Sequence, residues 1–313
     1  MVLNNHFNLT KSFISSITKR CLTSSSVNPI AQKSFGRNKD VAIHYDNSRP
    51  DYSSQTIETV SDIINNYNQS IKYKPLEIVE VATGTGKFTK SFMKYEKINN
   101  DSQNNYTITE PIETFLGQLN IESIQSNKWK IDKYVTSSDK LHMIKDKSCD
   151  AVIAAQSFHW MSNIQTLREF NRVLSPNCPL IFVWNSFDVR LDYINQIENI
   201  VDSVYKKIES KTNEIIPRYR TMKWEELFTT NNKETKKYFK PLEKWQGIQN
   251  YSFTQENVLN HCSSISVISS LPEDEKTEIL EKIKFVLNNH DSTKGKKYFD
   301  FQYNIDIAYA LSI

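Results

Sequence analysis

Two of the chain's six glycines stand at Gly84 and Gly86, directly after the apolar run Leu76-Glu77-Ile78-Val79-Glu80-Val81-Ala82. No other feature limits the fold as much. A short run rich in β-branched residues, closed by a glycine turn, reads as a buried strand. Glycine is needed where backbone turns tightly or lets a ligand approach. The stretch that follows, Phe88–Tyr95, begins a helix, with Phe88 and Phe92 four apart. Strand, glycine turn and helix form the opening of a βα unit.

The alternation repeats downstream. Tyr106–Thr109 is strand-like and ends at Glu110, and Pro111 opens a helix through Leu119, since proline is tolerated in the first helical turn. Lys133–Ser137, Ala151–Ala155 and Leu180–Trp184 read as the next strands, and Ile164–Leu174 as an amphipathic helix stopped by Pro176. Nearly continuous apolar strands between helices predict a parallel α/β sheet with right-handed crossovers. Beyond Asp188 the pattern is helical and more charged, with loops near Pro217, Pro241 and Pro272; Tyr298–Leu311 alternates aromatic and polar residues and reads as an antiparallel edge strand. Upstream, Ile57, Val60, Ile63 and Ile64 give Thr56–Tyr67 a helical spacing. The expected divisions are a tail over 1–39, an N-terminal helical segment over 40–75, a core over 76–186, and lid helices with the final strands over 187–313.

Charge separates the tail from the body. Residues 1–39 hold six Lys/Arg and no acid, so the chain's 39 basic and 36 acidic residues leave the body slightly acidic. Such a body is a poor electrostatic match for nucleic acid. No apolar run reaches the roughly 18 residues of a membrane span. The tail is rich in Ser and Thr, and Leu9, Phe13, Ile17 and Cys21 fall on one helical face. That is the composition of a mitochondrial transit peptide, and Arg20-Cys21-Leu22-Thr23-Ser24 resembles a processing site. A disordered tail is the alternative. The four cysteines are far apart and form no C-x-x-C pair, which fits a reducing compartment and gives no metal-site or disulfide framework.

The glycine turn admits three ligand readings. A dinucleotide fingerprint needs a third glycine where Thr89 stands. A P-loop needs Gly at 81 and a hydroxyl at 88, where Val81 and Phe88 stand. What remains is Glu80 four residues before Gly84-x-Gly86, the shape of an adenosylmethionine-binding turn, with a plain tight turn as the alternative. Glu110, at the end of the second strand, can accept both hydroxyls of a ribose. Ser138-Asp139 follows the third strand, where an acid can receive an adenine amino group.

Glu80–Phe88, Glu110-Pro111, Asp150–Ala155 with Gln156-Ser157-Phe158-His159-Trp160, Glu169–Leu174 and Trp184-Asn185 together resemble class I S-adenosylmethionine-dependent methyltransferases. More closely, they resemble the small-molecule, trans-aconitate methyltransferase-like branch of the type-11 domain, as do Arg49-Pro50-x-Tyr52 and Ser264-x-Ser266. The likeness covers about residues 40–313 and is densest over 76–186. It implies a Rossmann-like seven-stranded sheet with an antiparallel last strand and a helical lid. It implies S-adenosyl-L-methionine as cofactor, held by Glu80, Ala82, Thr83, Gly84, Thr85, Gly86, Glu110, Ser138, Asp139 and Gln156. The sequence departs from the pattern in its Asn-rich loop before Glu110, in Ser138-Asp139 where Ala-Glu is usual, and in Met161 where Phe is common.

Methyl transfer needs placement, desolvation and sometimes a base; placement alone is worth ~7–11 kcal/mol. A carboxylate acceptor is already ionised. A hydroxyl acceptor needs a base, for which His159 is the candidate, with pocket packing as its other reading. Trp160 and Tyr52 are candidate pocket walls. Arg190, with Arg218 and Arg220, is a candidate anchor for an anionic acceptor. The expected function is methyl transfer to a small molecule; the alternative is an assembly or binding protein that keeps the fold without catalysis.

Overall fold

The computed structural model describes residues 19–20, 29–36, 39–67, 74–100, 102–124, 126–229 and 232–313. Its strands are β1 (Lys19–Arg20), β2 (Glu77–Val81), β3 (Asn104–Thr109), β4 (Trp129–Val135), β5 (Ala151–Ala155), β6 (Pro179–Phe187), β7 (Glu243–Phe253) and β8 (Phe299–Leu311). They form one sheet in the order β1-β4-β3-β2-β5-β6-β8-β7. β1 to β6 are parallel, and β8 runs antiparallel to both β6 and β7. Apart from the two-residue β1, this is the expected Rossmann-like seven-stranded sheet. From β2 the chain first builds outward to β3 and β4, then returns to β5 on the other side. The gap beyond the carboxyl ends of β2 and β5 is therefore a topological switch point, where ligands bind in such sheets.

Side-chain alternation sorts the strands between two apolar layers. Ile78, Ile153, Ile181 and Val183 face one layer with Ile57, Val60 and Ile64 of helix Ser54–Tyr67 and Phe88 and Phe92 of helix Lys87–Tyr95. Val79, Val81, Val152, Ala154 and Phe182 face the other, with Leu167 and Phe170 of helix Ile164–Val173. A third cluster joins helix Asp192–Thr212 to helices Gln255–Ser263, Ser266–Ser269 and Glu273–Asn289 over Phe301 and Tyr303 of β8, and this is the lid. None of the described helices is long and apolar enough to cross a membrane.

Several boundaries differ from expectation. The third strand of the core runs Trp129–Val135 rather than Lys133–Ser137, because buried Trp129 anchors its start against Phe92 and Tyr106 at ring distances of 5.7 and 5.8 Å. The helix after Pro111 spans only Glu113–Leu116 before the chain turns at Gly117. β7 replaces expected helix; as the outer strand it is polar and only partly buried, so it carries little apolar signal. β8 is consequently internal, between β6 and β7, and not the edge strand that its alternation suggested.

The N-terminal boundary also moves. Helix Pro29–Phe35 lies within the expected tail, and its Phe35 ring meets Tyr45, Phe115 and Trp160 at 5.8, 5.4 and 6.3 Å. The folded body thus starts before residue 39. The expected transit helix Leu9–Cys21 and the processing site lie outside the described residues, apart from Lys19–Arg20. Phe35 is half-buried, so Phe35→Ala should cost toward the lower end of the ~1.5–3 kcal/mol of a buried aromatic side chain. Urea unfolding checks this, and an unchanged midpoint would detach that helix from the body.

Candidate functional site

The site is built on a buried acid. Glu80, near the end of β2, is fully buried, and its carboxylate accepts hydrogen bonds from Thr83 Oγ1 at 2.7 Å, Thr89 Oγ1 at 2.7 Å and Tyr106 Oη at 2.9 Å. Burial pushes its pKa up to about 7, and the three hydrogen bonds pull against that. The acid ties the turn to the first residues of the following helix and to β3.

Above it the backbone is left-handed at Ala82, Gly84 and Gly86, with φ of 50°, 60° and 81°. At Gly86 a Cβ would lie 2.5 Å from Leu119 Cδ1, so both dihedral and space require glycine. At Gly84 there is room, and the dihedral alone is the constraint. Gly84 N–H donates to Glu110 Oε2 at 2.9 Å, and Ile112 N–H donates to Glu110 Oε1 at 2.9 Å. Glu110 is thereby fixed across the mouth of the turn. Burial raises its pKa to about 7, opposed by those two backbone donors.

These elements enclose a cavity of about 400 Å³. Its wall brings together Ala82, Thr83, Gly84, Thr85, Glu110, Ser138, Asp139, Gln156, His159, Trp160 and Tyr52. Gln156 has φ of 53° and its amide is held by the Asn185 carbonyl at 2.6 Å. Asp139 accepts from Gln165 Nε2 at 3.0 Å, so an acid does stand on the wall where the family pattern is broken. Among the described residues, buried Thr85 Oγ1, Ser137 Oγ, Ser157 Oγ and Asn185 Oδ1 have no protein partner, and all belong to wall residues. Buried polar atoms are ordinarily satisfied, so this wall fits a polar ligand.

Three expected site residues sit elsewhere. Glu80 and Gly86 lie beneath the wall and shape it from below. Arg190 is off the cavity and exposed, paired with Asp188 at 2.6 Å. Arg218 and Arg220 do line the cavity, but Arg218 pairs with Glu209 at 2.8 Å and Arg220 with Glu198 at 2.7 Å. The sequence reading missed Arg49, which lines the cavity through the turn Arg49-Pro50-x-Tyr52. That motif was visible, but nothing in the sequence placed it against the lid.

His159 is half-buried beside Trp160. Its Nδ1 accepts a 3.4 Å hydrogen bond from the Trp184 indole N–H, which can only donate. The neutral ring therefore carries its proton on Nε2. Burial lowers its pKa to about 3. His159 is a neutral donor here and a weak base. Among the described residues no group of His, Cys, Asp and Glu is arranged to hold a metal ion.

Known proteins resemble this chain in the same region. The sequence pattern of the family described as "Methyltransferase domain" matches residues 79–182. A Schizosaccharomyces pombe protein described as an uncharacterized methyltransferase-like protein is 27% identical over 243 residues, 77% of this chain and 81% of its own. A second, described as an uncharacterized methyltransferase of the same yeast, is 24% identical over 270 residues, 85% of this chain and 92% of its own. Among solved structures, a protein from Anaeromyxobacter dehalogenans assigned as a type II methyltransferase superposes with a TM-score of 0.52 at 14% identity, over 84% of this chain and 97% of that one. It shares the fold.

Glu80 predicts a pH signature. Its folded pKa of about 7 lies above its ordinary 4.5, so the folded state holds the proton more tightly and stability falls as pH rises between these values. His159 acts in the opposite sense, because its folded pKa is lowered and stability rises with pH up to about 6.5. The difference between wild type and Glu80→Gln isolates the acid. The wild type should lose stability relative to the variant by up to ~1.4 kcal/mol per pH unit between about 4.5 and 7. A pH-independent difference in urea unfolding would show that Glu80 does not titrate in this range.

Proposed function

Residues 79–182 are a methyltransferase domain of the class I Rossmann-like type, and from that premise we propose that the protein methylates a small acceptor, with a carboxylate as the accepting group. S-Adenosyl-L-methionine is the cofactor, and when bound it supplies an electrophilic methyl group on a sulfonium. The observation that carries the reading is Glu110. It follows β3 on the cavity wall, already oriented by two backbone N–H groups. Each of its oxygens keeps a further acceptor direction, which suits the two hydroxyls of a ribose.

The chain's own residues divide the work. Glu110 and the Thr83–Thr85 turn would hold the ribose and amino-acid portions, and Ser138 and Asp139 the base. Trp160, Phe35 and Tyr52 wall off the acceptor side and exclude water. A carboxylate acceptor fits a site with no strong base: His159 can orient an acceptor oxygen through its Nε2–H, but accepts a proton poorly at pH 7. Trp160 and Tyr52 belong to the acceptor side of this reading. Arg190 has no place in it, being paired and off the cavity.

The basic, acid-free N-terminus supports a mitochondrial address over residues 1–28, ahead of helix Pro29–Phe35. A fluorescent protein fused behind those residues should collect in mitochondria; a diffuse signal would remove the reading.

The cofactor assignment is tested by calorimetric titration with S-adenosylhomocysteine, using NAD as control. Glu110→Ala should weaken binding by ~1.5–3 kcal/mol, the scale of hydrogen bonds to a charged group. Wild-type affinity should rise as pH increases toward about 7 and flatten above it, because only the ionised carboxylate accepts both hydroxyls. Unchanged affinity in Glu110→Ala would take Glu110 out of the site. No binding by the wild type would favour a methyltransferase-like assembly protein.

A further inference from the structure

Arg49, Arg218 and Arg220 line the cavity and Arg190 stands in the same lid segment as Arg218 and Arg220; three of these four arginines are already neutralised. Arg190 pairs with Asp188, Arg218 with Glu209 and Asp202, and Arg220 with Glu198. Lys87 on the wall pairs with Asp51 at 2.7 Å. Arg49 is different. Among the described residues no carboxylate lies within ion-pair distance of it. Its partners are neutral: one terminal nitrogen donates to His261 Nε2 at 3.0 Å, the other to the Ser264 carbonyl at 3.2 Å. Its Nε is buried with no hydrogen-bond partner among the described residues.

The surroundings hold this fork in place. His261 is 4% exposed, and its Nδ1 shares a 2.8 Å hydrogen bond with Tyr303 Oη. Since an arginine can only donate, Nε2 of His261 is the acceptor and Nδ1 carries the proton. Burial and the Arg49 charge keep that imidazole neutral. The guanidinium also lies 5.2 Å from the centre of the Tyr45 ring. Helix Lys39–Ser48, helix Gln255–Ser263 and β8 thus converge on one cation. A part-buried charge without a counter-charge is costly, and the group that relieves it best is an anion. The guanidinium has five N–H donors, of which two are used among the described residues, and a planar fork suits a carboxylate.

We propose that Arg49 is the anchor for the acceptor's anionic group, with His261 and Tyr303 as positioning residues that aim the guanidinium into the cavity. The inference rests on the methyl-transfer reading of the same cavity and adds the residue that selects for charge. The anchor comes from the N-terminal segment, and its aim is set by the lid, so the acceptor site is complete only when the two are docked.

The test uses the full chain saturated with S-adenosylhomocysteine and titrates succinate and tricarballylate as carboxylate probes, with succinamide as the neutral control. Wild type should bind a carboxylate probe and not succinamide. Arg49→Gln should weaken the probe at least tenfold and leave S-adenosylhomocysteine affinity within about threefold. Arg49→Lys, which keeps the charge and loses the fork, should fall between, and it carries the test if Arg49→Gln does not fold. Equal probe affinity in wild type and variant overturns the proposal, as does equal binding of succinamide. So does a wild type that binds S-adenosylhomocysteine and responds to no carboxylate. A wild type that does not bind S-adenosylhomocysteine instead overturns the methyl-transfer reading on which the inference rests.

Discussion

The hydrogen bonds that converge on the buried carboxylate of Glu80 set the geometry on which the site depends. They come from three segments: Thr83 in the turn, Thr89 in the helix after it, and Tyr106 in β3. An acid is placed under a loop because a carboxylate can accept several donors at once. The cost is desolvation, visible in its raised pKa. The turn is fixed well enough for Ala82, Gly84 and Gly86 to stay left-handed, and the Gly84 N–H is aimed at Glu110. Glu80 therefore acts on the cavity without touching it.

The sheet order then decides where the cavity lies. β2 receives β3 on one side and β5 on the other, so the loops after these strands part at the switch point. Gln156, left-handed after β5, bends its loop toward the glycine turn after β2. Arg172 holds the loop before β5 by bonding Glu169, Asp146 and the carbonyls of Leu141 and Ile144, which is a structural task. The side remote from the sheet is closed by elements distant in sequence: the N-terminal helices, Asp192–Thr212 and the segment around His261.

That distance explains what could be read in advance. The core strands were legible because they are buried on both faces and declare themselves as apolar runs, as at Ala151–Ala155 and Leu180–Trp184. The glycine turn, Glu110 and the histidine–tryptophan pair were legible because motif and strand end coincide. β7 was not, since an edge strand buries little and Glu243–Phe253 reads as polar. Helix Pro29–Phe35 was masked by the basic, acid-free composition around it. The arginines failed for a different reason. Arg190, Arg218 and Arg220 lie in the lid segment, but their charge is spent on Asp188, Glu209 and Glu198, which only tertiary contacts reveal. Arg49 lies far from the lid in sequence and meets His261 across it.

The charges of the cavity wall are consequently polarised. Glu110 and Asp139 lie on the side of the glycine turn, where Lys87 is paired with Asp51, and Arg49, Arg218 and Arg220 lie toward the lid, with Glu209 offsetting Arg218 and Glu198 offsetting Arg220. A ligand with a cationic part near Glu110 would favour the ionised form of that carboxylate and lower its pKa from about 7. An ionised Glu110 is the better ribose acceptor, so cation and ribose reinforce one another at one residue. An anion at Arg49 would meet a charge that its protein partners leave uncompensated, since His261 and the Ser264 carbonyl contribute dipoles only. The Arg49 end thus keeps a charge that its protein partners among the described residues do not balance, and the Glu110 end a carboxylate whose ionisation a cation would favour. A cationic donor and an anionic acceptor, bound together, would balance both, while neutral His159 on the same wall needs no change of protonation.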